Sequence, residues 1–401
     1  MKMNKWPVKP LINVLQTFES GSRPKGGVGT STSGVPSLGG EHLTNEGDFD
    51  FSGIKYVSEE FFEQMLRGHI QTDDILIVKD GATTGKTAFV SDNFPYQRAA
   101  INEHVFLLRP KTDYVLPKFL FYFLSGPWGQ TQILACYKGS AIGGISKDFA
   151  NSVQVPLPPL PEQERIIRIL DEADQLRRLR EESDRRSKDL IPSTFHEMFG
   201  DTSVAVKNCK VVRLEEVTTR ITDGVHLKPN YTSSGIPFIS VKDITTGKLK
   251  FDDCKFISRE DHERFTKRCK PEYLDILYTK VGATYGRPAL VDTSREFSIY
   301  VSVCLIKPNK NLIEPQFLNT VMGTAAIKGQ ADQAIKGIGV PDLHLDQIKN
   351  FLIPLPSLEL QRKFTDRVAE IKAYEAAQAA SWAQLDRLFL SLHHSAFHGE
   401  L

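Results

Sequence analysis

The sequence predicts an α+β fold: two mixed α/β globular domains separated by two long antiparallel helices, related as a tandem duplication with a pseudo-two-fold axis. The first observation is a run from residue 162 to residue 191 without proline or glycine, which follows the proline-rich stretch VPLPPLP at residues 155–161. The second is that residues 353–401 repeat residues 155–201. A proline-rich boundary followed by such an unbroken run is typical of the start of a long helix.

The repeat rests on identical residues at a constant offset. The matched pairs, each 198 positions apart, are Pro156 and Pro354, Leu157 and Leu355, Pro158 and Pro356, Leu160 and Leu358, Gln163 and Gln361, Ser183 and Ser381, Leu190 and Leu388, Ser193 and Ser391, and Phe199 and Phe397. We therefore expect a first globular domain at residues 1–154, a first helical spacer at 155–201, a second globular domain at 202–352 and a second spacer at 353–401. A chain of 401 residues is long enough for two or more cores.

The two globular segments carry the same order of predicted elements. In the first, strands are predicted at Ile75–Lys79, Thr87–Val90 and His104–Arg109, helices at Ser58–Met65 and Pro117–Leu124, and a loop over Ser20–Gly40. In the second, strands are predicted at Ile236–Val241, Ile276–Lys280 and Val301–Lys307, and helices at Ser258–Arg264 and Pro315–Met322. Shared frames support the duplication, for example Gly34–Val35–Pro36 and Gly235–Ile236–Pro237.

Each spacer carries one apolar stripe at helical spacing, which predicts that the two helices pack on each other. The seam is predicted from Ile166, Ile169, Leu170, Ala173, Leu176 and Leu190 in the first spacer and Phe364, Val368, Ile371, Leu385, Leu388 and Leu392 in the second. Connectivity makes the helices antiparallel, because the second must return towards the first domain. At about 1.5 Å per residue, the helix from Pro161 to Phe199 would be roughly 58 Å long, with a kink expected at Pro192. Ser357 is the expected cap of the second helix.

Composition is that of a soluble globular protein, with 40% hydrophobic and 25% charged residues. The first ten residues have no apolar leader, and the longest apolar run, Phe119–Leu124, is too short to span a bilayer. We therefore expect a cytoplasmic protein with no membrane partner. The five cysteines are scattered without a CxxC spacing, which predicts neither disulfides nor a zinc site.

The net charge of +1 hides an asymmetry along the chain. Residues 202–352 hold 22 Lys and Arg against 17 Asp and Glu, whereas residues 155–201 hold 8 against 11. This distribution is compatible with nucleic acid at the globular parts and protein partners along the spacers, although an excess of this size is more often a solvated surface.

The stretch DGATTGKT, residues 80–87, resembles the end of a phosphate-binding P-loop but lacks its first glycine, since Asp80 stands there. Its repeat, VGATYGRP at residues 281–288, lacks both the lysine and the hydroxyl, so a nucleotide site is not predicted. A tight turn between strands is one interpretation, with Gly81 and Gly85 at positive φ. The other is a DNA contact, and both can hold. The candidate residues are Thr83, Thr84 and Lys86 in the first turn and Thr284, Tyr285 and Arg287 in its repeat.

Further binding candidates lie in loops. The loop TDGVHLKPNY, residues 222–231, offers His226 and Lys228 and is as compatible with an ordinary polar loop as with a binding loop. Lys138 and Lys336, each followed by glycine, are further candidates. The sequence shows no amino-methyltransferase tetrapeptide, no nuclease carboxylate cluster and no glycine-rich cofactor fingerprint, which predicts a non-catalytic recognition protein without its own cofactor or metal.

These features resemble the specificity subunit of type I restriction-modification systems over nearly the full length. The resemblance is carried by the duplicated Pro-Leu-Pro-x-Leu motif before Gln163 and Gln361, the paired Gly-Ala-Thr-x-Gly-Lys/Arg turns, and DGVHLKPNY leading to GIPFISVKDI. It implies two target-recognition domains, each recognising one half of a gapped double-stranded DNA site, and helical spacers that set the gap and dock two methyltransferase subunits.

The same resemblance implies that partner subunits carry the chemistry. The methyltransferase subunits would bind S-adenosylmethionine and methylate adenine, and restriction subunits would add ATP- and Mg-dependent translocation and cleavage. The near-neutral charge predicts weak DNA binding by the chain alone. Two other classes stay open from the residues themselves: a two-headed adaptor that binds protein or glycan ligands, and a free-standing enzyme.

Overall fold

The computed structural model of the chain describes residues 6–25, 27, 32–139, 143–187, 189–200, 209–335 and 339–401. It divides into unit 1, residues 1–182 and 379–401, and unit 2, residues 183–378. Both divisions fall inside the long helices, so each unit holds one globular part and a segment of both helices. The predicted limits at residues 154, 201 and 352 remain predictions.

Unit 1 contains three sheets. Its strands are β1 Val8–Pro10, β2 Leu15–Ser20, β3 Val35–Leu38, β4 Lys55–Val57, β5 Ile75–Val78, β6 Thr87–Phe89, β7 Ala100–Ile101, β8 Val105–Pro110 and β9 Gln154–Pro156. Its helices are α1 Leu11–Val14, α2 Glu59–Gln64, α3 Pro117–Ser125, α4 Pro127–Ala135, α5 Phe149–Ser152 and most of α6 Leu160–Ser187. The strand orders are β2-β8-β5-β6, β4-β3-β7 and β1-β9, and among the described strands of unit 1 only β3 and β7 pair in parallel.

Unit 2 repeats this architecture. Its strands are β10 Lys210–Arg213, β11 Thr218–Asp223, β12 Ile236–Ile239, β13 Lys255–Ile257, β14 Ile276–Thr279, β15 Pro288–Leu290, β16 Ser298–Ile299, β17 Val303–Pro308 and β18 Leu352–Leu355. Its helices are α7 Leu190–Phe199, α8 Arg259–Thr266, α9 Pro315–Met322, α10 Ala325–Ala334, α11 Leu345–Lys349 and the first half of α12 Leu358–His398. The orders β11-β17-β14-β15, β13-β12-β16 and β10-β18 correspond strand for strand to those of unit 1. The predicted mixed fold and duplication are confirmed.

The ten predicted strands and helices of the globular segments are all present, with ends shifted by up to two residues. The loop predicted over Ser20–Gly40 is wrong in part, because it contains strand β3, Val35–Leu38, whose four residues are all buried. Glycine and serine around this strand obscured it. Its repeat-related strand, β12, was predicted correctly.

The expected kink at Pro192 is also wrong. Helix α6 ends at Ser187 and α7 begins at Leu190, so the interruption precedes the proline. Pro192 lies in the first turn of α7, where backbone N–H groups have no partner within the helix and proline is tolerated. The predicted cap of α12 is confirmed, since Ser357 Oγ accepts the Leu360 N–H at 3.4 Å.

The two long helices pair in antiparallel fashion within each unit. In unit 1, Arg177 lies 3.4 Å from Asp386, while Ile166, nearer the start of α6, shares a core with Phe397, nearer the end of α12. In unit 2, Gln378 Nε2 of α12 donates to Ser183 Oγ of α6 at 3.0 Å, while Phe195 of α7 packs edge to face on Phe364, nearer the start of α12, with ring centroids 5.5 Å apart. The predicted direction of the helices is therefore confirmed.

Burial along the predicted seam is uneven. Five of its residues are buried: Ile166, Leu170, Ala173, Phe364 and Val368. Four are half-buried: Ile169, Ile371, Leu385 and Leu392. Three are exposed, contrary to the predicted pattern: Leu176 at 55%, Leu190 at 40% and Leu388 at 53%. Beside Leu176 the helices pack through the Arg177 guanidinium, 4.4 Å from the Phe389 ring centroid, rather than through leucines. The seam as a whole remains a prediction.

Two buried glutamines join the start of each long helix to its globular part. Gln163 accepts the Leu116 N–H at 2.8 Å and donates to the carbonyls of Tyr114 at 2.8 Å and Pro158 at 2.9 Å. Both Gln163 and its repeat Gln361 are fully buried. Gln361 correspondingly accepts the Glu314 N–H at 2.8 Å and donates to the carbonyls of Leu312 at 3.3 Å and Pro356 at 2.8 Å.

A buried imidazole lies at the other end of α12. His393 is packed against the Phe389 and Tyr122 rings, and its Nδ1 is buried without a hydrogen-bond partner among the described residues. Burial, reinforced by the nearby Arg177 charge, lowers the pKa of His393 to about 4. The residue is therefore neutral at pH 7.

Among the described residues, none of the helices combines the length and apolar character needed to cross a membrane.

Replacing Gln163 by leucine should destabilise unit 1, because a buried N–H and two carbonyls lose their partner. We expect a loss of about 2–4 kcal/mol, from about 1–3 kcal/mol for each unsatisfied buried group with partial relaxation. Native-state hydrogen exchange should show the Leu116 amide losing protection in Gln163→Leu and the Glu314 amide losing it in Gln361→Leu. Glu164→Gln, at an exposed neighbouring position, is the control. Equal exchange of both amides in the wild type and both leucine variants would contradict this role.

The stability of unit 1 should fall as the pH is lowered from about 6.5 towards 4. The unfolded His393 binds a proton in this window and the folded one does not, so protons favour the unfolded state. Between pH 7 and pH 5 the contribution is about 2 kcal/mol, from about 1.4 kcal/mol per pKa unit. Urea unfolding at both pH values should show that His393→Phe, which installs the residue of the repeat position, Phe195, loses less unfolding free energy between pH 7 and pH 5 than the wild type. An equal loss in this variant and the wild type would contradict the role of His393. His394→Gln, at an exposed position, is the control.

Candidate nucleic-acid interface

The four-stranded sheet of each unit gathers the predicted binding loops at one of its ends. We call this the loop end. It is marked in unit 1 by Ser20, Val78, Thr87 and Val105, and in unit 2 by Asp223, Thr279, Pro288 and Val303. The antiparallel register places the end of β2 and β5 beside the start of β8 and β6, so the loops that follow or precede these strands emerge together. Unit 2 has the equivalent arrangement.

The first Gly-Ala-Thr turn, residues 81–86, joins β5 to β6. Gly81 and Gly85 both have φ of 89°, a conformation that side-chain-bearing residues rarely adopt. The Gly85 N–H donates to the Val78 carbonyl at 2.8 Å, and Thr84 Oγ1 donates to the Gly81 carbonyl at 2.7 Å. The predicted tight turn is confirmed. Thr83 at its tip is exposed.

The structure brings Lys86 and Lys138 to the same loop end. Lys86 is half-buried in a groove of about 360 Å³ lined also by Thr83, and no described carboxylate lies within 4 Å of its ammonium group. The exposed Lys138 exchanges two backbone hydrogen bonds with Gly144, at 2.9 and 3.0 Å. The Gly81 N–H donates to the carbonyl of Gly143, the residue before Gly144, at 3.1 Å. This bond places the paired backbone of Lys138 and Gly144 beside the turn.

The second turn, residues 282–287, has the same backbone but different surroundings. Gly282 and Gly286 have φ of 89° and 86°. The Tyr285 hydroxyl donates to the Asp332 carboxylate, and the Lys328 ammonium lies 3.8 Å from the centroid of the Tyr285 ring. The Lys328 ammonium and the Tyr285 hydroxyl hold the pKa of Asp332 below its usual range. Tyr285 is thus already engaged within unit 2.

Arg287 and Thr284 differ in how much of their hydrogen-bonding capacity remains available to a ligand. One guanidinium N–H of the exposed Arg287 donates to the Thr245 carbonyl at 2.5 Å. A guanidinium has five such donors, so most of its capacity remains. Thr284 is half-buried, and its carbonyl accepts from Thr279 Oγ1 at 2.7 Å.

The loop after β11 is held by a buried carboxylate that the sequence analysis did not single out. Asp223 is 4% exposed and accepts a hydrogen bond from Arg268 Nη2 at 2.7 Å. Lys280 Nζ lies 3.8 Å from it, and His226 Nε2 lies 3.4 Å from it. His226 and the following Lys228 are exposed. The sequence signal for Asp223 was its place directly before Gly224 in the loop TDGVHLKPNY. Lys336 lies outside the described residues.

Metal binding finds no support in this geometry: within the described ranges, no three His, Cys, Asp or Glu side chains are arranged to hold a metal ion. The loop ends instead combine hydroxyl, ammonium and guanidinium donors on rigid turns. Such donors bind phosphate oxygens and base edges.

The comparisons with known proteins identify the family. The profile described as "Type I restriction modification DNA specificity domain" matches residues 6–184 and 206–375, one copy for each half of the duplication. The chain belongs to this family. As a specificity subunit it recognises DNA and is the non-catalytic component of a type I restriction-modification complex with modification and restriction subunits. This membership sets aside the adaptor and the free-standing enzyme.

Among its relatives are specificity subunits of named type I enzymes. The chain is 25% identical over 362 residues to the EcoBI specificity subunit of Escherichia coli, covering 83% of this chain and 74% of that one. It is 20% identical over 392 residues to the EcoKI specificity subunit of Escherichia coli strain K12, covering 92% and 82%. The MjaVIII specificity subunit of Methanocaldococcus jannaschii is 22% identical over 318 residues, covering 75% and 73%.

Solved structures share the fold of this specificity subunit. A chain from a study of complex assembly and conformational transition of the type I R-M system has a TM-score of 0.67 at 18% identity, covering 99% of this chain and 98% of that one. The S subunit from M. genitalium has a TM-score of 0.55 at 15% identity, covering 99% and 97%. At these identities the likeness establishes the fold.

Proposed function

We propose that this specificity subunit recognises a two-part, gapped DNA site, with residues 1–154 contacting one half and residues 202–352 contacting the other. The observation that carries the proposal is that one loop end is built twice with the same backbone and different side chains. Identical positioning with dissimilar chemistry is what two dissimilar half-sites require.

The proposed contacts are the residues that the sequence predicts to bind DNA, of which Lys336 lies outside the described residues. They are Thr83, Thr84, Lys86, Lys138, His226, Lys228, Thr284, Tyr285, Arg287 and Lys336. Lys86 has no carboxylate within 4 Å among the described residues, so its charge is available to a phosphate or to guanine. Arg287 occupies the repeat position and keeps donors beyond its bond to Thr245. The two side chains therefore offer different hydrogen-bond geometries at equivalent places.

The spacers, residues 155–201 and 353–401, would set the gap and dock two DNA adenine methyltransferase subunits. Exposed leucines on the paired segments of unit 1 support a protein partner there, among them Leu176 and Leu388, because apolar surface is otherwise left in water. S-adenosylmethionine would be bound by those partners, and ATP and Mg by restriction subunits. The complex would act on cytoplasmic double-stranded DNA.

Lys86→Ala should weaken recognition of one half-site, and Arg287→Ala should weaken recognition of the other. Each loss should be about 1–3 kcal/mol, the range for a directional base contact. The measurement is binding of the methyltransferase complex to DNA in which either half of the mapped site is scrambled. The variant should lose its discrimination against changes in only one half.

Lys111→Ala and Lys310→Ala are matched controls that remove the same charge at the opposite end of β8 and β17 from the loop end. They should leave the discrimination of both halves unchanged. Equal losses at both halves for Lys86→Ala and Arg287→Ala, or losses as large in the controls, would count against the proposed division of the site.

A further inference from the structure

Large apolar side chains are most exposed at the loop ends. Among the described residues, the three most exposed large hydrophobic side chains are Leu66 at 98%, Leu227 at 74% and Val340 at 73%. Leu227 follows β11 by four residues. Val340 precedes Pro341, whose carbonyl accepts the Gly282 N–H of the second turn at 2.9 Å.

Leu66 reaches the loop end of unit 1 through its neighbour Gly68. Gly68 packs directly on Gly21, the residue that follows β2, and its carbonyl accepts the Ile101 N–H at 2.9 Å. Its N–H donates to the Glu19 carboxylate at 2.7 Å. Leu66 therefore stands two residues from a fixed point on the sheet.

Leu66 and Leu227 are each flanked by residues that are buried or hydrogen-bonded to the rest of the unit, while their own side chains lie in solvent. Leu66 lies between Gly68 and the buried Met65, whose N–H donates to the Phe62 carbonyl at 3.2 Å. The bend between these two residues leaves the Leu66 side chain almost fully exposed.

Leu227 is anchored in an equivalent way. On one side the Val225 N–H donates to the Ile299 carbonyl and the Val225 carbonyl accepts the Val301 N–H, both at 3.1 Å. On the other side Pro229 is buried. The two leucines are thus presented by fixed backbone, and water covers side chains whose burial would be favourable.

Each exposed leucine is followed directly by an exposed cation, Arg67 after Leu66 and Lys228 after Leu227. A single apolar side chain beside one cation is too small for a protein-docking patch. It matches a thymine, which carries a methyl group on its major-groove edge and a phosphate at the edge of the groove. Leu66 and Leu227 do not lie at repeat-related positions, as expected if the two half-sites differ.

We propose that Leu66 and Leu227 each contact the 5-methyl group of a thymine, one in each half-site, while Arg67 and Lys228 neighbour the adjoining phosphates. The proposal rests on the proposed function, because it names base contacts within the two half-sites. Leu66 and Leu227 are then specificity-determining residues, and loss of either relaxes one position in one half-site.

The test uses the complex of this chain with its methyltransferase subunits. The wild-type site is first mapped from methylated adenines, and each thymine in the site is then replaced by deoxyuridine, which removes only the methyl group. In each half, one such replacement should weaken wild-type binding by about fourfold, the value of one buried methyl group. Leu227→Ala should weaken binding to the thymine site by about the same factor and be insensitive to that replacement. Leu66→Ala should do the same in the other half.

Leu312→Ala is the control, since Leu312 is 42% exposed and follows β17 at the end away from the loop end. It should keep wild-type sensitivity to every replacement. The inference is overturned if no deoxyuridine replacement weakens wild-type binding, or if Leu66→Ala and Leu227→Ala remain as sensitive as the wild type. A wild-type complex that methylates no two-part site would instead overturn the proposed function, and with it this inference.

Discussion

The buried amide of Gln163, repeated as Gln361, is the interaction on which the arrangement of each unit depends. It spans from the first turn of a long helix to the residues that precede α3 or α9, and it satisfies one N–H and two carbonyls that would otherwise be buried without partners. Because an unsatisfied buried group costs about 1–3 kcal/mol, helix and globular part are held as one body within each unit. Any protein that docks on the helix segment is thereby coupled to the loop end of the same unit.

The loop ends show how one backbone can serve two targets. Glycines at positive φ set both turns, and these positions leave the intervening residues free to differ. Thr84 closes its own turn, whereas Tyr285 bonds outward to Asp332 on α10. In the proposed two-part site, the preference for one half-site could therefore change by substitution in these turns while strand register and turn geometry are retained. This separation explains how two halves with little similarity outside their shared frames keep one architecture.

Much of the fold was predictable because the sequence contains the same order of elements twice. Ile236–Ile239 was predicted correctly as a strand in unit 2, whereas its repeat-related strand β3 was missed, because the glycine- and serine-rich composition around Gly34 favoured a loop there. The partners of Tyr285 and Arg287 were not predictable, since Asp332 and Thr245 lie 47 and 42 residues away in the chain. The exposure of Leu66 was equally hidden, because a leucine after an amphipathic helix is more often buried than exposed.

Charge pairing limits how this subunit can bind DNA. The net charge is +1, and at the loop end of unit 2 Arg268 and Lys280 are already turned towards Asp223. The near-neutral charge therefore predicts little long-range attraction of this chain alone to DNA phosphates. Discrimination must then come from short-range contacts to base edges, where a fixed leucine or guanidinium acts only on the base it meets. We therefore expect the partner subunits to supply the binding strength that such contacts do not, so that recognition would depend on assembly of the complex.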